Sequence, residues 1–234
     1  MKKKILLILM IATTKCFSQI YFAPSAYMYV KSEVLYVEKD INLDAASNLY
    51  LRNNAQLVQG TTGTSANTGT GTLSVYQEGT TNNYSYNYWC APVGSTVPAD
   101  NGKFGITMLG RPTSATAFTQ ATILPITNSD GTASPLAIAS KWIYKLSTAT
   151  TYSQWVFVGN TTTLAPGEGF SMKGTSGTDT TDPEGTGVTN NPGSAQRYDF
   201  RGRPNDGNIT IALAANSSTL TGNPYPSALH LNEF

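Results

Sequence analysis

Short alternating segments closed by Gly, Pro, Asn or Asp recur along this chain, and no stretch after the first eighteen residues shows a helical period. Side chains of a strand alternate between faces, so this two-residue period marks half-buried sheet. Leu73-Ser74-Val75-Tyr76, Trp142-Ile143-Tyr144-Lys145, Trp155-Val156-Phe157-Val158, Gly169-Phe170-Ser171-Met172, Tyr198-Asp199-Phe200 and Ile209-Thr210-Ile211-Ala212-Leu213 all read this way. Asn205-Asp206-Gly207-Asn208 supplies residues tolerant of positive φ for a tight hairpin into Ile209. These segments predict an antiparallel β-sandwich over residues 72–234, interrupted by irregular insertions at 92–141 and 175–196. Only 12% of residues are charged, while Gly (21) and Tyr (13) are abundant. Such a chain can bury enough aromatic and β-branched surface to offset the entropy of ordering, so it is β-rich rather than disordered.

Residues 19–61 carry an internal repeat. Val34-Leu35-Tyr36-Val37 followed by Ile41-Asn42-Leu43 recurs as Asn48-Leu49-Tyr50-Leu51 followed by Ala55-Gln56-Leu57, fourteen positions later, and Tyr21-Phe22-Ala23 with Tyr27-Met28-Tyr29 fits a third copy. Each copy contains two short strands, with Glu38-Lys39-Asp40 and Arg52-Asn53-Asn54 as polar turns. Three 14-residue copies predict a short β-solenoid-like stack, in which Leu35 would lie over Leu49, or else an antiparallel meander of the same strands. The Thr-, Gly- and Ser-rich residues 62–71 read as a linker to the sandwich.

The beginning of the chain predicts export. Lys2, Lys3 and Lys4 precede an apolar run from Ile5 to Ala12, and Cys16-Phe17-Ser18 ends in a small residue suited to cleavage before Gln19. Residues 1–18 are therefore expected to be a signal peptide, too short in its apolar part to span a bilayer as a mature helix. Four of the fifteen basic residues (Lys2, Lys3, Lys4, Lys15) lie within it, leaving eleven against fourteen acidic residues, a net charge of −3. That balance predicts neither nucleic acid nor an anionic membrane surface as partner. Removal of Cys16 leaves Cys90 without an intrachain partner, so the exported chain must be held by its core.

Four motifs follow in a fixed order: Tyr86-Asn87-Tyr88-Trp89-Cys90-Ala91-Pro92-Val93, Pro166-Gly167-Glu168-Gly169-Phe170, Phe200-Arg201-Gly202-Arg203-Pro204-Asn205-Asp206-Gly207 and Asn223-Pro224-Tyr225-Pro226-Ser227-Ala228. In this order and spacing, over residues 48–234, the chain resembles the extracellular regions of large surface proteins that Bacteroidetes export through the type IX secretion route. The resemblance implies a secreted or cell-surface location, with the type IX machinery as partner where a C-terminal sorting domain follows. It implies no reaction. The resembling proteins continue beyond the last motif, whereas six residues follow Ala228 here, so the sandwich is expected to be incomplete at its C-terminal end, with an open edge or apolar strip near Ile209 to Leu213. They also usually carry serine where this chain has Cys90, which reads as a packing residue.

Residues that could bear chemistry are few. Tyr84, Tyr86, Tyr88 and Trp89 could stack on the apolar faces of sugars, but alternation sets the three tyrosines on one strand face and Trp89 on the other, so part of the set belongs to the core. Pro166-Gly167-Glu168-Gly169 lacks the Lys-Ser/Thr pair of a phosphate loop and reads as a turn into a buried strand. Asn223-Pro224-Tyr225-Pro226 reads as a rigid turn that could hold a cis bond. Asp179, Asp182 and Glu184 share one loop and could gather a hard cation, or simply face water. Asp179-Thr180-Thr181 resembles the O-glycan acceptor of exported Bacteroidetes proteins, with Thr180 as the acceptor. The sole histidine, His230, is four residues from the end, which leaves no evident catalytic group and no histidine-based zinc site. No cofactor is expected. The favoured expectation is a non-catalytic, adhesin-like surface module facing glycans or extracellular matrix. A carbohydrate-binding accessory region of a polysaccharide-degrading enzyme would instead require exposed aromatics from residues 84–89 and 142–155 to come together. An enzyme proper would show a pair of carboxylates in a cleft.

Overall fold

The computed structural model describes residues 19–229. The signal-peptide expectation for residues 1–18 and the position of His230 lie outside the described residues.

The chain opens with six short strands: β1 (Ile20–Phe22), β2 (Tyr27–Lys31), β3 (Val34–Val37), β4 (Ile41–Leu43), β5 (Asn48–Arg52) and β6 (Gln56–Gln59). The first three pair in parallel with the second three. Ile20 lies opposite Ile41, Met28 opposite Leu49, and Leu35 opposite Leu57. The spacing between partners is thus 21 or 22 residues, not 14, and Leu35 does not stack on Leu49. Each unit contains three strands rather than two, and the fourteen-residue match aligned β3 with β5, which belong to different sheets. The repeat is carried by its corners. Ser25 and Ala46, and Ser32 and Asn53, are 21 residues apart and all adopt the left-handed conformation, with φ of 61°, 58°, 61° and 49°. Asn53 Nδ2 donates to Ser32 Oγ at 2.6 Å, joining two equivalent corners.

The segment expected as a linker is bonded into this stack. Thr68 pairs with Asn42 in parallel, Leu43 N donates to Thr68 O at 3.1 Å, and Thr68 N donates to Ile41 O at 3.0 Å. Buried Asn67 accepts from Ile41 N at 2.8 Å and donates to Gln59 Oε1 and Pro204 O. Backbone and amide hydrogen bonds hold this stretch instead of apolar side chains, and composition does not reveal such bonds. β7 (Thr72–Glu78) then pairs in parallel with β5, Leu73 opposite Leu49.

The remaining strands are β8 (Tyr86–Cys90), β9 (Val93–Gly94), β10 (Leu109–Pro112), β11 (Phe118–Gln120), β12 (Thr122–Leu124), β13 (Ala137–Ala139), β14 (Tyr144–Lys145), β15 (Val156–Phe157), β16 (Gly169–Lys173) and β17 (Arg197–Pro204). The protein is all-β, with single-turn 3-10 helices as its helical elements among the described residues. One sheet runs β11-β10-β17-β7-β5-β2, with β9 also on β17. Within it, β7 joins the parallel strands on one side to antiparallel β17 on the other. A second, antiparallel sheet runs β15-β14-β16-β8. Aromatic rings join the two. Trp89 of β8 lies 5.4 Å from Tyr198 and 5.9 Å from Phe200 of β17, while Phe104 stacks on Phe200 at 5.5 Å and on Phe170 of β16 at 6.1 Å.

Residues 209–213 form no strand. β17 is already paired with β7 along one edge and with β10 and β9 along the other, so no edge remains to receive a hairpin. Of Asn205 to Asn208 only Gly207 has positive φ, +74°. Ile209 and Ile211 cover Gly167 instead, and Leu213 points to solvent at 73% exposure. The one cis peptide among the described residues precedes Pro135; the bonds of Asn223 to Pro226 are trans.

Arg52, expected in a polar turn, is 1% exposed. Its Nε donates to Ala115 O at 2.7 Å, Nη1 to Leu51 O and Ser74 O, and Nη2 to Ser74 Oγ. Ser74 Oγ in turn donates to Asp199 Oδ1 at 2.6 Å, and the Tyr76 ring covers the guanidinium at 3.7 Å. A buried cation is tolerable when its donors are used in this way.

Candidate functional site

The four sequence motifs meet at one place in the fold. Gly169 pairs with Cys90 and Phe170 with Trp89 across β16 and β8. Asn205 Nδ2 donates to Ala91 O and to Pro224 O, and Asn205 N donates to Pro92 O. Tyr225 hydroxyl donates to Gly207 O at 2.7 Å, and Asn223 Oδ1 accepts from Tyr225 N while its Nδ2 donates to Ser227 O. Glu168 accepts from Ala165 N and Lys145 Nζ, both at 2.8 Å, which closes the Pro166 turn. A Cβ on Gly202 would overlap the Gly94 carbonyl. These residues therefore lock strand ends together.

The outer face of the four-stranded sheet is different. Tyr86 and Tyr88 of β8, Trp142, Tyr144 of β14, Tyr152 and Trp155 line a groove of about 230 Å³ together with Ser171 of β16. Strand alternation puts Tyr86 and Tyr88 on this face and sends Trp89, 7% exposed, into the core. Trp89 is therefore a core residue and not a stacking one. Tyr84 is exposed and does not line the groove. The rings meet edge to face, Tyr86 with Trp142 at 6.5 Å and Tyr152 with Trp155 at 6.2 Å, which forms walls rather than a flat platform. Trp142 Nε1 donates to Ser129 O at 2.6 Å, and Ser171 Oγ donates to Tyr144 O at 3.3 Å. Burial, then the neighbouring hydroxyls of Tyr144, Tyr152 and Tyr88, raise the Tyr86 hydroxyl above its ordinary range, so it stays a neutral donor. Trp142 and Trp155 were visible in sequence as aromatic spacing, but their convergence with β8 depends on the pairing of β16 between β8 and β14.

The acidic loop does not gather. Asp179 receives Arg111 Nε at 2.6 Å and Nη2 at 2.7 Å, with Asn190 Nδ2 and Thr181 N completing its shell. Asp182 caps the backbone amides of Glu184, Thr186 and Gly187. Glu184 pairs with Arg197 at 3.3 Å, and Glu78 also pairs with Arg197. Among the described residues no group of three or more His, Cys, Asp or Glu side chains is placed to hold a metal. Thr180 is exposed, while the Asp179 that would mark it as an acceptor is buried and ion-paired.

A larger cavity, about 570 Å³, lies beside β8 and is lined among others by Tyr76, Trp89, Cys90, Gly222 and Tyr225. Cys90 is half-buried there. Burial pushes its thiol up to about 11, against a weaker opposite effect of the Gly167 and Gly222 amides, which leaves it a poor nucleophile. Among the described residues no helix is long and apolar enough to cross a membrane.

The chain belongs to a family described as a domain of unknown function (DUF8693), whose pattern it matches over residues 7–234. No curated protein and no solved structure matches it.

Proposed function

We propose that this is a non-catalytic, exported cell-surface module of adhesin-like character, and that the aromatic groove on the outer face of β8, β14 and β16 is where it meets a saccharide. In this reading β1 to β7 form a short β-solenoid of three-strand turns. It is continuous with a β-sandwich made by the two larger sheets. The type IX resemblance supports the exported location, and the sorting machinery would then be its partner during secretion.

One observation carries the reading: six aromatic side chains from three separated stretches of sequence converge on one accessible groove with a hydroxyl at its floor. Flat rings cover the apolar faces of pyranoses at little entropic cost, while tyrosine hydroxyls and Ser171 can bond sugar hydroxyls. The same groove would serve a carbohydrate-binding accessory region of a polysaccharide-degrading enzyme. Fold alone does not choose between these, because function resides in the site.

The test is a glycan-array screen of residues 19–234, repeated with Tyr152→Ala and Trp155→Ala. Tyr152 is at the rim, 84% exposed, so its variant should unfold at the same midpoint as the parent. Trp155 is partly buried, so its variant is read on the fraction that stays folded, and both should lose array signal. Retained binding in both would overturn the assignment of the groove.

A further inference from the structure

Two lysines flank the Tyr86 and Trp142 wall of the groove without lining it. Lys173 Nζ, at the end of β16, lies 4.1 Å from the Trp142 ring centre and 5.5 Å from that of Tyr86, so it sits over the junction of these two walls. Lys141 Nζ is 5.1 Å from the same Trp142 centre. The two nitrogens are at most 9.2 Å apart, the sum of their distances to that centre. Among the described residues neither lysine forms an ion pair, while neighbouring Lys145 is paired with Glu168. Asp130, next along the chain to the Ser129 that receives Trp142 Nε1 and Lys141 Nζ, is engaged by Asn83 Nδ2 at 2.9 Å. The groove lining itself contains no carboxylate.

A ring face satisfies an ammonium from one side only, and Lys has three donors. Two like charges within about a Debye length also repel each other, a cost that an anion between them removes. We propose, resting on the saccharide reading above, that the groove selects acidic saccharides, whose carboxylate or sulfate group is held by Lys173 and Lys141 while the sugar rings lie against Tyr86, Trp142 and Trp155. The lysines supply the selectivity, and the rings supply contact common to any sugar.

The experiment measures affinity of residues 19–234 for polygalacturonate, dextran sulfate and neutral dextran of matched length, by calorimetry at two salt concentrations. The charged polymers should bind at least about tenfold more tightly than dextran, the gain expected of one hydrogen bond to a charged group. Lys173→Met should remove most of that preference and flatten the salt dependence. Lys31→Met, in β2 on the other sheet, is the control and should leave all affinities as they were. A preference for polygalacturonate over dextran sulfate, or the reverse, identifies the anionic group. Equal binding of dextran and the charged polymers would overturn this inference and leave the groove assignment standing. Loss of preference in Lys31→Met as in Lys173→Met would overturn it too, by showing diffuse ionic attraction. Binding of none of the three would remove both this inference and the saccharide reading.

Discussion

Asn205 and Pro224 are joined by a single hydrogen bond, 3.0 Å from the side-chain Nδ2 to the carbonyl oxygen, and the same nitrogen reaches Ala91 O at 3.0 Å. Three of the four motifs thus depend on one amide. Asn205→Ala would leave two half-buried carbonyls without their donor, at about 1 to 3 kcal/mol. Urea unfolding should show a lower midpoint with the same slope. A change within about 0.5 kcal/mol, the usual range of inert surface substitutions, would mean that water replaces the amide freely.

Leu49 lies between Met28 and Leu73 in the parallel ladder and is fully buried. Leu49→Ala should cost about 2 to 5 kcal/mol through lost transfer energy and a cavity. Leu213→Ala, at an exposed site, should cost almost nothing. The contrast is readable by thermal unfolding of both variants, and equal shifts would contradict the placement of Leu49.

The carboxyl of Asp179 is pushed up by burial but held below its ordinary value by the hydrogen bonds of Arg111, Asn190 and Thr181. A depressed folded value means that the stabilisation is complete above the ordinary aspartate value of 3.8 and is lost as pH falls through the folded one. Arg111→Met should therefore lower stability at neutral pH and shift the acid-unfolding midpoint upward. Breaking a buried pair costs about 3 to 5 kcal/mol, and solvent access to Arg111 puts the expectation at the lower end of that range. An unshifted acid midpoint would show that Asp179 is not the group that titrates.

The Cys90 thiol should resist labelling. With its titration pushed up to about 11, almost no thiolate is present at pH 8, and half-burial slows access further. Disulfide-exchange reagents should react with the native protein many times more slowly than with the urea-unfolded chain. Cys90→Ser should leave saccharide binding unaltered. Equal labelling rates in the two states would place the thiol in open solvent.

Local pattern was readable wherever one strand decides the outcome. The alternation in Tyr86-Asn87-Tyr88-Trp89 correctly separates the groove tyrosines from core Trp89, and β7, β16 and β17 are strands where the sequence pattern places them, although β16 and most of β17 are buried on both faces rather than half-buried. What depends on partners was not readable. The fourteen-residue match rested on similar Leu-Tyr triplets in strands of different sheets. The 21-residue spacing lies in corners that share a conformation but not a residue type, Ser25 with Ala46 and Ser32 with Asn53. The alternation of Ile209 to Leu213 is real, yet the neighbouring strand has no free edge to use it. Arg52 reads as a surface charge because its compensation comes from Ala115, Ser74 and Tyr76, distant in sequence. The groove needed both kinds of information, since two of its rings come from β8 and the others from residues 142–155.

The last motif also determines when folding can finish. Leu57 N donates to Pro226 O at 2.8 Å, and Ala228 N donates to Gln56 Oε1 across 172 residues, so β6 acquires these bonds only after residue 228 exists. Contacts of such long sequence separation close late and slowly. A chain still being synthesised, with its final motif not yet free, would keep the β6 edge open. Hydrogen exchange at Leu57 in a chain ending at residue 222 measures this directly. Rapid exchange there, against protection in the longer chain, is the expected mark of a fold completed from its far end.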